Sequence, residues 1–139
     1  MNAKDFLRKV RDQQREILEL QQSLEYMRMS VLPGGIRYDK DRVQSSPEDK
    51  TSELLSQAAD IEHEINEGIT RLLQDSHKAM NMIDGLSKPK YREVMRAYYL
   101  PIGPLPTWDE VASRLNYSTI RVLQLHGEAL KELKDYSKL

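Results

Sequence analysis

Cysteine is absent from this chain of 139 residues, and aromatic residues make up only 6% of it. The lack of cysteine excludes disulfide bonds, thiol chemistry and cysteine-based zinc sites, and it agrees with a reducing compartment. The low aromatic content argues against a large sheet-rich core. With 31% charged residues, many of them Glu and Lys, the composition favours helices instead.

Long apolar runs are also missing. The longest uncharged stretch, residues 97–108, is too short to span a membrane and contains three prolines. The first residues, MNAKDFLRKVRDQQ, mix charged with apolar side chains, so we expect no secretory signal. The sequence therefore predicts a cytoplasmic protein that makes no membrane contact.

The net charge of -1 hides an uneven distribution. Residues 1–85 hold 12 Lys and Arg against 16 Asp and Glu, whereas residues 86–139 hold 9 against 6. Binding to nucleic acid depends on basic side chains that neutralise phosphates. Any DNA-binding surface is therefore expected in residues 86–139, the part with the basic excess.

Residues that could carry catalysis or bind metal are few and scattered. One acidic and histidine-containing group could share part of a helix face: Asp60, His63, Glu64 and Glu67. A carboxylate-bridged metal pair would need a matching set on a second helix, and none is evident. His77 and His126 stand alone, and no catalytic triad, phosphate-binding glycine loop or zinc-protease motif occurs. We therefore predict no enzyme, no metal site and no cofactor.

A long amphipathic helix is predicted from near Ala3 to about Ser30, because its apolar residues recur at alternating steps of four and three. The seam comprises Phe6, Val10, Gln13, Ile17, Leu20, Leu24, Met27 and Val31. Residues 32–46, LPGGIRYDKDRVQSS, contain the Pro and Gly pair of a loop.

A second long helix is predicted from Ser46 and Pro47 to a stop at Gly85. Its apolar face comprises Leu54, Ala58, Ile61, Ile65, Gly68, Leu72, Ala79, Met80 and Ile83. Two such helices form either a hairpin within one chain or part of a helical bundle between chains, and the sequence is compatible with both. Gly68 either lets a partner helix approach or weakens the helix by about 1 kcal/mol relative to Ala.

Residues 86–139 have the pattern of a helix-turn-helix domain. Pro89 opens a helix, and Thr107 with Glu110 forms a capping box for the next one. Asn116 suits the turn because it tolerates a left-handed conformation, and Ser118 is placed to cap the last helix, which runs to about Tyr136. The inward positions are Val111, Ala112, Leu115, Val122, Leu125, Ala129 and Leu130.

Residues 107–133, TWDEVASRLNYSTIRVLQLHGEALKEL, preceded by KPKYREVMRAYYL, resemble the fourth region of primary-type bacterial sigma factors. They are more similar still to small phage and prophage regulators that share this module. The resemblance covers about residues 87–133, with a weaker likeness in the helical arm and its DRVQSSP segment. It implies a sigma-like helix-turn-helix domain and a role in transcription.

The start of the last helix is the candidate DNA-reading surface, because such motifs meet base edges there. Its outward residues are Ser118, Thr119, Ile120, Arg121, Leu123 and Gln124. Ser118, Arg121 and Gln124 match the family, whereas the other three replace charged residues. Ile120 and Leu123 could contact thymine methyl groups, or they could dock on another protein.

Basic and hydroxyl residues nearby are candidates for phosphate contacts, although the same residues could simply keep the domain soluble. These candidates are Lys88, Lys90, Arg92, Arg96, Thr107 and Arg114. Trp108 at the start of the first motif helix is expected to pack in the core.

These patterns predict an all-α protein with a long, coiled-coil-like helical arm, residues 1–85, and a C-terminal helix-turn-helix domain, residues 86–139. The predicted function is a phage-type transcriptional regulator that binds double-stranded DNA. The arm is expected to join two weakly basic domains into a dimer, so that avidity replaces charge. One alternative is a factor that docks on RNA polymerase or another phage protein without reading DNA. A second is a phage DNA-packaging recognition subunit.

Overall fold

The computed structural model describes residues 2–31 and 47–136, and within these ranges the chain is almost entirely α-helical. The helices are α1 (Ala3–Val31), α2 (Pro47–Asp84), α3 (Pro89–Tyr99), α4 (Trp108–Leu115) and α5 (Thr119–Tyr136). No strand occurs in the described ranges, so the predicted all-α fold class is confirmed. The predicted loop at 32–46 and the cap at Ser46 lie outside the described residues.

The chain divides into two compact units. The first, here called the composite unit, joins Met1–Arg15 with Arg71–Leu139, and the second, the hairpin unit, is Glu16–Thr70. These limits differ from the boundary near residue 85 that the sequence suggested. The reason is that the first turns of α1 and the last turns of α2 share one hydrophobic core with α3, α4 and α5.

In the hairpin unit, α1 and α2 pair with each other inside one chain. Ile17, Leu24 and Ile65 of the predicted seam are buried, and an ion pair of 2.7 Å joins Arg28 to Glu62. Of the two arrangements that the sequence left open, the structure has the intramolecular one. Part of the apolar seam is therefore buried by contacts within one chain.

Gly68 lies where the two helices come close together. A Cβ atom placed on Gly68 would lie 3.4 Å from Cγ1 of Ile17, which is ordinary van der Waals contact. The glycine thus lies at a close approach, but alanine would also fit there. The close approach therefore does not require a glycine, and the predicted weakening of α2, by about 1 kcal/mol relative to alanine, stays a prediction.

The core of the composite unit takes side chains from all five helices. Its fully or nearly buried members include Leu7, Val10, Ile83, Val94, Met95, Tyr99, Val111, Ala112, Val122, Leu125 and Ala129. The inward positions predicted for the helix-turn-helix are confirmed, with Leu115 and Leu130 partly buried. Met80 was expected on the apolar face of α2 but is 47% exposed. That prediction is wrong because its neighbour Ala79 takes the inward position instead.

Local signals set the helix ends as the sequence predicted. Pro89 occupies the first turn of α3. At α4, the hydroxyl of Thr107 accepts a hydrogen bond from the backbone of Glu110, whose carboxylate accepts one from the backbone of Thr107. Asn116 ends α4 in the left-handed conformation, with φ of 62° and ψ of 38°. The hydroxyl of Ser118 accepts a hydrogen bond of 3.1 Å from the backbone of Arg121.

Candidate nucleic-acid interface

A tight turn sets the geometry of α4 and α5. The backbone N–H of Tyr117 donates to the carbonyl of Ala112 at 2.9 Å, and that of Asn116 donates to the carbonyl of Ser113 at 3.3 Å. These bonds satisfy carbonyls at the end of α4 that would otherwise lack a partner. The turn therefore fixes the direction in which α5 leaves, and with it the direction of its first side chains.

The first turns of α5 expose a mixed apolar and polar surface. Ile120 is 72% exposed and Leu123 is 44% exposed. Gln124 is exposed and Arg121 is half-buried. The guanidinium of Arg121 lies 3.5 Å from the side-chain oxygen of Gln124. An Arg and a Gln that share one surface can present the donors and the acceptor that base edges require.

The two hydroxyl residues of this surface have structural partners. Ser118 caps α5 as described above. The hydroxyl of Thr119 donates a hydrogen bond of 2.7 Å to the carboxylate of Asp109, which ties the start of α5 to α4. Four of the six predicted reading residues therefore remain candidates for base contact, namely Ile120, Arg121, Leu123 and Gln124.

Most of the predicted phosphate contacts have partners within the chain. The guanidinium of Arg96 pairs with Asp84, that of Arg114 lies 4.0 Å from Glu110, and that of Arg92 donates to the carbonyl of Leu86. Thr107 belongs to the capping box. The two ion pairs, of Arg96 and Arg114, leave the surface less cationic than the count of Lys and Arg suggests.

Two lysines complete the set of predicted phosphate contacts. The ammonium of Lys88 lies 5.5 Å from the ring centre of Tyr91, and Lys90 is exposed. An exposed ammonium on a flexible stem can reach a phosphate as a point charge.

A buried cation that the sequence did not predict lies in the same unit. Arg11 of α1 is only 9% exposed, and its guanidinium donates hydrogen bonds to the carbonyls of Tyr98, at 2.6 Å, and Pro106. Nearby, the amide of Gln14 donates to the carbonyl of Tyr99 at 2.7 Å. The polar side chains of α1 thus satisfy the last carbonyls of α3. The one signal in the sequence was the helical spacing of Arg8, Arg11 and Arg15.

Aromatic rings surround this cation. The guanidinium carbon of Arg11 lies 3.7 Å from the ring centre of Tyr98, a cation–π contact, and Tyr98 stacks on Trp108 with ring centres 3.6 Å apart. The ring of His126 lies 4.4 Å from that of Trp108. Trp108 therefore packs against the body of the unit, as the sequence predicted.

His126 and Tyr99 form a neutral hydrogen-bonded pair, with the Tyr99 hydroxyl 2.6 Å from Nε2 of His126. Burial, together with the nearby positive charges of Lys4 and Arg8, lowers the pKa of His126 to about 4. Burial also raises the pKa of Tyr99 to about 12. Neither ring therefore carries a charge at neutral pH.

Acidification should destabilise the composite unit through His126. In the unfolded chain this ring titrates near its usual pKa of 6.5, but in the folded protein it titrates near 4. Stability is thus complete above pH 6.5 and is lost as the pH falls toward 4, since only the unfolded chain takes up the proton there. We expect a loss on the order of 2 kcal/mol, reduced from the full value because the ring is partly solvated.

Urea denaturation at several pH values between 7 and 4, on the wild type and on His126→Gln, measures this loss. The variant should lose less stability than the wild type over this interval. His77→Gln, at an exposed position of the same unit, should behave like the wild type. Equal losses in the wild type and His126→Gln would assign the acid sensitivity to other groups.

The acidic and histidine-containing group of α2 forms an ordinary surface contact. Nε2 of His63 lies 2.9 Å from the carboxylate of Glu67, and both side chains are exposed. Within residues 2–31 and 47–136, no three His, Asp or Glu side chains are placed to hold a metal ion. In the same ranges, no helix is long and apolar enough to cross a membrane.

No family model, curated protein or solved structure matches this chain.

Proposed function

We propose that this protein is a DNA-binding transcriptional regulator that reads duplex DNA with the first turns of α5. The observation that supports this best is the capped α4–turn–α5 unit with Arg121 and Gln124 side by side on its surface. Such a unit places the start of its second helix in a major groove, where Arg pairs with guanine and Gln with adenine.

Apolar contacts would supplement the few polar ones. Ile120 and Leu123 are the exposed apolar neighbours of this pair, and thymine presents a methyl group in the major groove. The preferred site should therefore contain thymines beside the base pairs that Arg121 and Gln124 contact. Because Arg96 and Arg114 are already paired with carboxylates, phosphate contacts should be few and the salt dependence shallow.

The proposal does not depend on a dimer formed by the arm. The pairing of α1 with α2 in the same chain buries Ile17, Leu24 and Ile65 of the apolar seam. A single reading unit would select one asymmetric motif, whereas two symmetric units would select an inverted repeat. The form of the recovered site therefore reports how many units bind together.

Selection from a randomised DNA pool at near-physiological salt tests the proposal. We expect a defined motif from the wild type, and Arg121→Ala should bind that motif about 1 to 3 kcal/mol more weakly, with relaxed preference at one position. Arg28→Ala removes the same charge from the hairpin unit and should leave DNA affinity unchanged. An equal loss on every sequence would make Arg121 a backbone contact, and no enrichment by the wild type would reject DNA reading.

A second candidate function rests on the exposure of Ile120, which is 72%. An exposed isoleucine beside a half-exposed leucine is also suited to docking on a protein such as RNA polymerase. In that case Ile120→Ser with Leu123→Ser should abolish polymerase binding, whereas Arg121→Ala should have little effect. Under the first proposal, Arg121→Ala should instead weaken DNA binding more than the double variant Ile120→Ser, Leu123→Ser does.

A further inference from the structure

A cleft of about 230 Å³ opens in the composite unit beside the buried guanidinium of Arg11. Its walls come from α1 on one side and from α3, α4 and α5 on the other. The lining residues are Arg8, Arg11, Asp12, Arg15, Tyr98, Tyr99, Trp108 and His126. This volume suits a small molecule or a single chemical group rather than a peptide segment.

The lining carries an excess of positive charge. It contains three arginines and one carboxylate, because His126 is neutral at pH 7. Asp12 lies 3.2 Å from Arg15 and offsets one of these charges. Arg11 donates its two bonds to neutral carbonyl oxygens, so these bonds do not neutralise its charge. The cleft therefore favours an anion.

The aromatic residues act as a wall and do not offer a stacking platform. One face of Tyr98 is covered by Arg11 and the other by Trp108. His126 packs in turn against Trp108. A ligand recognised here needs charge and small size, and a base or another flat ring would find little free surface on Tyr98.

Guanidinium groups recognise oxyanions through paired N–H donors, and phosphate oxygens fit that geometry well. Arg8 and Arg15 are exposed enough to turn toward a ligand. Arg11, in contrast, is fixed by the carbonyls of Tyr98 and Pro106. The cleft thus combines one immobile cation with two adjustable ones.

We propose that this cleft binds a phosphate group, held by Arg8 and Arg15 in front of the fixed charge of Arg11. The phosphate can belong to a small phosphorylated molecule or to the backbone of bound DNA, since both present the same oxyanion. The proposal stands independently of base reading by α5.

Titration of the isotope-labelled full-length protein with inorganic phosphate, followed by NMR, tests the proposal. We expect saturable shifts of the His126 ring signals. The pKa of His126 should also rise when phosphate binds, because the anion offsets the neighbouring charge of Arg8. The Arg8→Gln, Arg15→Gln double variant should bind phosphate at least tenfold more weakly. Arg71→Gln, an exposed arginine outside the cleft lining, should bind as the wild type does.

The absence of saturable shifts in the wild type, or unchanged binding by the double variant, would overturn the proposal. An unchanged thermal midpoint of the double variant shows that it is folded. Addition of duplex DNA carrying the selected site then distinguishes the two sources. Competition between DNA and phosphate identifies a backbone phosphate, and independent binding identifies a small phosphorylated ligand.

Discussion

Replacing Leu125 with alanine should destabilise the composite unit by about 2 to 5 kcal/mol, because the leucine side chain is removed from a site that is 1% exposed. The loss combines the transfer free energy of the deleted methyl groups with the cavity that remains. Its neighbours in the core come from several helices, so the cavity cannot close by the movement of one of them. Denaturant unfolding monitored by circular dichroism measures the change.

Leu123→Ala is the matched control, since it makes the same chemical change two residues earlier on α5. Leu123 is 44% exposed, so its loss should change stability by no more than about 0.5 kcal/mol. Its effect should appear instead in binding, to DNA or to a protein partner. Equal destabilisation by both variants would contradict the inward and outward assignment of α5, and with it the proposed reading surface.

Arg11→Ala should cost about 3 kcal/mol of stability, although the residue is charged. The substitution leaves the carbonyls of Tyr98 and Pro106 without the donors that they have in the native structure. Hydrogen bonds from a charged donor contribute about 1.5 to 3 kcal/mol each. The cation–π contact with Tyr98 is lost as well. The gain from no longer burying the charge offsets part of this, since burial already lowers the pKa of Arg11.

Arg11→Lys separates charge from hydrogen-bond geometry. A single ammonium cannot reproduce the fork that reaches two carbonyls, so the lysine variant should recover only part of the lost stability. Arg71→Ala, at an exposed arginine of α2, should change the unfolding free energy little. Full recovery of stability by lysine would show that charge alone matters at this position. If Arg11→Ala left the unfolding free energy unchanged, the proposed structural role of Arg11 would be wrong.

Local features of this fold could be predicted from the sequence because their causes are local. The capping box at Thr107, the left-handed Asn116 and the cap at Ser118 each involve residues three or four positions apart. Helical periodicity likewise identified the buried positions of α4 and α5. The outward position of Ile120 follows from the same periodicity. The roles of Arg121 and Gln124 in reading bases stay predictions.

Contacts between distant parts of the chain could not be predicted in this way. Arg11 appeared as one more charge on an amphipathic helix, and its partners Tyr98 and Pro106 are far away in sequence. The ion pair of Arg96 with Asp84 crosses from α3 to α2 and removes a candidate phosphate contact. Periodicity shows which face of a helix is apolar, but it does not show which helix covers that face.

The composition of the core has a consequence for the synthesis of the protein. Leu7 of α1 and Leu133 of α5 belong to the same buried cluster, although nearly the whole chain separates them. The composite unit therefore cannot complete its core until the ribosome has made α5, and meanwhile the apolar side chains of the first turns of α1 lack part of their native partners. The intervening hairpin, whose contacts are nearer in sequence, can form first and shorten the loop that must be closed. Newly made chains should thus depend on chaperones at their amino-terminal end more than at the hairpin.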